Sequence, residues 1–281
     1  MKLARVRTVG AEIPVIVSDE GTLLDLSDHT DDIDSEFFAS GGLVRVRDLD
    51  LETLRPVDGT HVSSCVARPG LVLCIGLNYA DHAEETGLEI PEEPILFQKA
   101  TNTVTGPNDP IIIPKRSVKT DWEVELGVVV GSTARYLEDE AAGWAAIAGY
   151  AISNDVSERA FQIERGGQWT KGKSSESFNP LGPWLVTKDE IPDPMNLAMR
   201  TTVNGEVMQD GNTRTMIFNP GYVLWYVSQF MVLEPGDLIN TGTPPGVGLG
   251  MDPPRYLTAG DVVEISIDGL GTQRQVCQDA R

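Results

Sequence analysis

A succession of short, wholly apolar runs sets the tightest limit on what this chain can fold into. Leu71–Gly76, Ile111–Ile113, Leu126–Val130, Ile147–Ile152 and Trp184–Val186 put apolar side chains on both faces of an extended segment. Such strands are buried on both sides, whereas a strand with one wet face alternates. Alternation does occur later, in Val262-Val263-Glu264-Ile265-Ser266-Ile267. Among 281 residues, 28 Gly and 18 Pro break the chain often, so turns separate these strands. Asn204-Gly205, between Thr201-Thr202-Val203 and Glu206-Val207, predicts a type I′ hairpin.

Helical signals are few. Asn219-Pro220 predicts the start of one helix, with Val223, Leu224, Val227, Phe230 and Met231 on one face. Leu137–Ala146 is a second, and Asn78–Thr86 and Val156–Ile163 are short candidates. The fold class is therefore β-rich α+β with peripheral helices.

Composition shifts at Arg68-Pro69-Gly70. Two units are expected: a small N-terminal domain over 1–66 and a larger domain over 67–281. In the first, Val15-Ile16-Val17, Gly21 and Leu23-Leu24 predict a hairpin. Asp28–Glu36 reads as a charged connector; Leu43–Val46 reads as a strand, and Leu49, Leu51 and Leu54 as a short helix. No chemistry is visible there.

The chain carries 22 Lys and Arg against 42 Asp and Glu, a net charge of −20. That balance argues against binding nucleic acid or an anionic membrane surface. An anionic ligand would need local positive charge. Cys65, Cys74 and Cys277 form no CxxC pair, which argues against a disulfide framework or a thiolate zinc site. No apolar h-region follows Met1-Lys2-Leu3, and the most apolar stretch, around Ala141–Ile152, is too short to span a bilayer. A cytoplasmic location is expected.

Trp122-Glu123-Val124-Glu125-Leu126 is the most informative stretch. Period two places Glu123 and Glu125 on one face of a strand. They fit either a solvated edge strand or a buried pair neutralised by a cation, and the run into Gly127–Val130 weighs towards burial. Asp155 ends the next buried run and serves either as a helix N-cap or as a third carboxylate at a strand end. Three carboxylates without Cys or His select Mg²⁺ or Mn²⁺, with Ca²⁺ the third choice, over zinc.

His82 and Glu85 are spaced i,i+3 just after a buried strand. On a helix they share a face, as a surface pair or as a water-activating base with its orienting carboxylate. Cations are scarce, so Lys99, Arg159, Lys171 and Lys173 are candidates for holding carboxylate or enolate oxygens, or ordinary surface charges. Thr241–Gly248 is a Gly/Pro loop without the Lys and following helix of a P-loop, so nucleotide binding has no support.

In order along the chain, GLNYADHAEE, PILFQK, DWEVELGVVVG, GYAISNDVSERAFQ, GKSSESFNPLGPW, VNGE, MIF and LEPGDLINTGTPPGVG resemble the fumarylacetoacetate hydrolase family. The resemblance covers about residues 70–275. It implies a catalytic domain built as a mixed β-sandwich roll, usually dimeric, with a divalent metal on Glu123, Glu125 and Asp155. It further implies a catalytic His82–Glu85 pair, an active-site lysine at Lys99 and a second at Lys173, and substrate contacts from Arg159, Gln162 and Thr243. Ser175-Glu176-Ser177-Phe178 departs from the family pattern near the substrate. The implied activity is hydrolysis of a C–C bond in a 2,4-diketo acid, an acylpyruvate or a diketo-deoxy sugar acid, giving pyruvate and a carboxylic acid. Two alternatives stand beside it: an oxaloacetate decarboxylase or related lyase or isomerase on the same metal site, and a non-catalytic metal-binding protein.

Overall fold

The computed structural model describes residues 1–58, 61–86 and 89–281. The chain opens with an antiparallel meander, β1 (Lys2–Thr8), β2 (Ala11–Val17) and β3 (Leu23–Asp25), so the hairpin expected at Val15–Leu24 forms. Two short helices follow, α1 (Ser35–Ala39) and α2 (Gly42–Arg47), and β4 (His61–Ser63) returns to pair with β1. Leu43–Val46 is thus helical rather than the expected strand. Gly42 and Val46, one turn apart, are buried while Val44 and Arg45 are exposed, a helical period that overrides the β-branched content.

The remaining strands are β5 (Val72–Gly76), β6 (Ile95–Lys99), β7 (Val104–Thr105), β8 (Ile111–Ile113), β9 (Thr120–Asp121) and β10 (Val124–Val130). They continue through β11 (Ile147–Asn154), β12 (Ser157–Glu158), β13 (Asn179–Pro180), β14 (Leu185–Thr187), β15 (Ala198–Val203) and β16 (Glu206–Asn212), and end with β17 (Leu238–Asn240), β18 (Val262–Ile267) and β19 (Gly271–Asp279). Helices α3 (Ala80–Thr86), α4 (Glu140–Ala145), α5 (Arg159–Ile163), α6 (Thr170–Lys173) and α7 (Pro220–Ser228) connect them at the periphery.

The larger sheet runs β3-β2-β1-β14-β11-β10-β17-β5-β6, with β17 and β5 parallel. Each residue of β10 and β11 is buried, as their unbroken apolar runs require. The second sheet runs β16-β15-β18-β19-β8, its last pair parallel. Leu126, Val128 and Ile152 from the first sheet and Met199, Val263 and Ile265 from the second belong to one core cluster. Two facing sheets with few helices are the expected β-rich α+β architecture. The β15–β16 hairpin turns at Asn204 (φ 53°) and Gly205 (φ 82°), both left-handed as a type I′ turn demands.

Residues 1–66 do not stand apart from the rest of the sheet: β1 hydrogen-bonds to β14, with Leu3 opposite Leu185. Leu3, Leu185, Val72 and Leu238 share one buried cluster across the expected boundary. Helix α7 is capped by Asn219, whose side chain accepts from the Tyr222 N–H. It ends at Ser228, which leaves Phe230 beyond it and 64% exposed rather than on the buried face. All three cysteines are free and buried, and burial pushes the Cys65 and Cys277 thiols up to about 12.

Candidate active site

The pairing of β10 with β11 places the carboxylates. Val124 opposes Asn154, so Glu123 and Asp155 lie next to each other just past that pair, joined by an Asp155 N–H bond to the Glu123 carbonyl at 3.0 Å. Glu125, two residues along, shares the Glu123 face. The carboxylate oxygens of Glu123, Glu125 and Asp155 come within 4.8 Å of one another, all buried. The edge-strand and helix-cap readings of these acids are thereby replaced by a buried cluster.

Three cations hold that cluster. Lys173, at the end of α6, reaches Glu123 and Asp155 at 2.7 Å each. Lys99, the last residue of β6, ion-pairs with Asp155 and donates to the Val156 carbonyl. Arg159 opens α5 and meets Glu123 at 2.7 Å. Burial raises the Glu123 carboxyl, but Lys173 and Arg159 outweigh it and hold the group below the usual carboxylate range. Among the described residues no ion pair reaches Glu125; burial, Asp155 and Glu123 push its carboxyl well up, against the nearby Lys173 charge and one backbone hydrogen bond from Gly242 at 2.7 Å. That donor is placed by a turn at Gly242 with φ 96°, a left-handed conformation that favours glycine.

Glu125, crowded by two carboxylates and with no ion pair of its own among the described residues, marks a deficit of positive charge at the cluster's centre. An all-oxygen donor set in that state fits a hard divalent cation, and Glu123, Glu125 and Asp155 are the residues that would hold it.

His82 and Glu85 lie on α3 across from the carboxylates. His82 Nδ1 is 2.9 Å from Glu85 Oε2, and the Gly246 N–H donates to Glu85 Oε1 at 3.0 Å. His82, Glu123, Glu125, Arg159, Gln162, Lys173 and Thr243 all line one cavity. Gln162 accepts from Arg159 at 3.1 Å, and Thr243 donates to the Val124 carbonyl at 2.8 Å. Lys99 is not among the lining residues; its contacts run to Asp155 and Val156 behind them. Lys171 lies apart, against the Arg165 carbonyl.

Asp121 is a buried member that the sequence reading passed over. It accepts from Arg159 Nε at 2.8 Å and from the Gly248 and Leu249 N–H groups at 2.7 and 3.0 Å. Burial raises its carboxyl despite the Arg159 charge. The signal was present: Asp121 precedes Glu123 by two residues, as Glu123 precedes Glu125.

Sheet-rich architecture and a carboxylate cavity suited to a divalent metal define the class of enzyme. The profile described as "Fumarylacetoacetate (FAA) hydrolase C-terminal" matches residues 71–278, and the chain belongs to the fumarylacetoacetate hydrolase family. A Burkholderia multivorans protein named "Putative hydrolase" is 52% identical over 283 residues, with both chains covered in full. The structure of a fumarylacetoacetate hydrolase from psychrophilic Exiguobacterium antarcticum superposes with a TM-score of 0.90 at 36% identity, covering 100% of both chains. A maleylpyruvate hydrolase from Sphingobium sp. SYK-6, in complex with manganese(II) and pyruvate, gives a TM-score of 0.82 at 25% identity over 100% of both chains. The family's structures also include isomerases. Among the described residues no helix is long and apolar enough to cross a membrane.

Proposed function

We propose that this protein hydrolyses a C–C bond in a 2,4-diketo acid, releasing pyruvate and a carboxylic acid. One observation carries the reading: His82, held by Glu85, lines the same cavity as Glu123 and Glu125, two of the three clustered carboxylates. A divalent cation, Mg²⁺ or Mn²⁺, would polarise the carboxylate and 2-oxo oxygens and provide an electron sink. The chain's own residues do the rest. Arg159 draws in the anionic substrate and Gln162 fixes the guanidinium's orientation. Glu85 holds His82 Nδ1, so Nε2 takes a proton from water as the water adds to the 4-carbonyl carbon. The C3–C4 bond then breaks, its electron pair moves to C3, and the new carboxyl leaves with its hydroxyl. Lys173 stabilises the pyruvate enolate oxygen, and a proton returned to C3 completes pyruvate. Lys99 acts one step back, by holding Asp155. In this reading the working form is a cytoplasmic homodimer.

Decarboxylation or isomerisation of a 2-oxo acid is the second reading, favoured by the isomerases among the related structures. The two part at His82, because decarboxylation needs no attacking water. Pyruvate release from an acylpyruvate panel should require added Mg²⁺ or Mn²⁺ and fall about 10²–10⁴-fold in His82→Ala. Cleavage that survives His82→Ala sinks the water-activation step. Carbon dioxide release from oxaloacetate that persists in His82→Ala but not in Glu123→Gln establishes the decarboxylase instead.

A further inference from the structure

The cavity is lined by polar and by apolar side chains. Glu123, Lys173, Arg159 and Gln162 are bonded into one chain. Beside these and His82, Glu125 and Thr243, the wall carries Ile75, Phe97, Ile163, Trp169, Val247 and Leu249, six side chains without a carboxylate, amide or hydroxyl. Part of this wall is built rather than incidental. Phe97 and Trp169 meet edge to face with centroids 5.2 Å apart. Trp169 lies so close over the end of β5 that a Cβ at Gly76 would come 2.5 Å from its ring, so only glycine leaves room for the indole. Lys173, which holds the carboxylates, has its ammonium 5.1 Å from the Phe97 centroid. The aromatic platform therefore begins where the anion-holding end stops. Ile163 is 51% exposed, so the wall runs out to solvent and admits a group longer than a methyl.

Resting on the diketo acid reading above, we propose that the substrate's distal acyl group is apolar, aryl or branched alkyl, rather than a polyhydroxylated or carboxylate-bearing chain. Sugar hydroxyls would lose water against hydrocarbon without gaining partners, and a second carboxylate would be desolvated beside cations already paired with Asp121, Glu123 and Asp155. An aryl group instead buries its faces against Trp169, Phe97 and Leu249.

The test is calorimetric binding of 2-oxo acids that lack a 4-carbonyl and cannot be cleaved, on the full-length Mn²⁺-loaded protein. 4-Phenyl-2-oxobutanoate is expected to bind at least about tenfold more tightly than 2-oxoglutarate or 2-keto-3-deoxygluconate. Trp169→Ala and, independently, Leu249→Asn should each cut that preference by about tenfold. Because the readout is a ratio within one variant, a general loss of folding does not imitate it. Equal or tighter binding of either polar ligand, or a preference that survives both substitutions, overturns the inference alone, provided diketo acids still yield pyruvate. Failure of all three ligands to bind overturns the diketo acid reading together with it.

Discussion

Two charge clusters lie at different places in the larger sheet, one half-buried and one fully buried, and they are balanced differently. At the N-terminal edge, Arg5 of β1 is clamped by Asp32 at 2.6 and 2.9 Å and by Glu12 at 2.8 Å. Glu12 also accepts from Arg7 and Ser63, both at 2.8 Å. Two arginines face two carboxylates, and Glu12, which burial alone would raise, is brought to about 2 by its bonds to Arg7 and Ser63 and by the Arg5 charge. At the other cluster four carboxylates, Asp121, Glu123, Glu125 and Asp155, face Lys99, Lys173 and Arg159. The surplus falls on Glu125, whose carboxyl is pushed up. A cluster whose charges are matched one to one holds the fold; one that is buried, one charge short and open to a cavity is arranged to receive something.

The sharpest way to break this contrast is to remove one carboxylate from each cluster. Glu123→Gln should lower pyruvate release by about a thousandfold or more, while the protein stays folded by circular dichroism. Glu12→Gln should leave kcat within about twofold of wild type, since neither Glu12 nor its partners Arg5, Arg7 and Ser63 line the cavity. Comparable rate losses in both variants would mean that the two clusters are not different in kind.

A second effect runs the other way. Arg5→Leu leaves Asp32 and Glu12 without their shared cation, which should destabilise the protein by about 3 kcal/mol, read as a lower urea midpoint. Glu125→Gln removes the carboxylate whose ionised form is disfavoured, so the metal-free protein should lose little stability or gain some. A large loss in metal-free Glu125→Gln would show that this residue is a structural partner rather than an excess charge.

How far the sequence carried this contrast depends on the range of the interactions. The strands of both sheets were legible because burial on two faces leaves its mark on consecutive residues, as in Val124–Val130 and Ile147–Asn154. Glu123 and Glu125 were legible because period two is local. The Arg5–Asp32 clamp was not: it joins residues 27 apart through a meander whose packing no local pattern encodes. Leu43–Val46 misled for the opposite reason, since its β-branched content favours a strand while docking of Gly42 against Phe37 requires a turn of helix. Trp169 carried no signal, because its role comes from passing over Gly76, on a distant strand.

Metal binding supplies a third and smaller discriminator. An ion that binds the folded chain alone at 100 times its Kd stabilises by about 2.7 kcal/mol, a rise of about 5 °C in Tm for a protein near this size. Mn²⁺ added to the chelator-treated protein should give that rise in wild type and in Glu12→Gln, but not in Glu125→Gln. A rise retained in Glu125→Gln would take that residue out of the ligand set.

The smallest effect separates the clusters by pH. Glu12 titrates at about 2 in the folded protein against an ordinary value of 4.5, so its pairing favours folding fully above the ordinary value. That contribution shrinks as pH falls from about 4.5 and is gone below about 2. Glu12 is partly open to water, and solvent screening keeps the effect modest. Urea midpoints measured from pH 6 down to pH 3 should therefore fall more steeply for wild type than for Glu12→Gln, with the two curves converging at the acid end. Parallel curves across that range would mean that Glu12 keeps an ordinary carboxyl, and the N-terminal cluster would then be no more tightly neutralised than any surface pair.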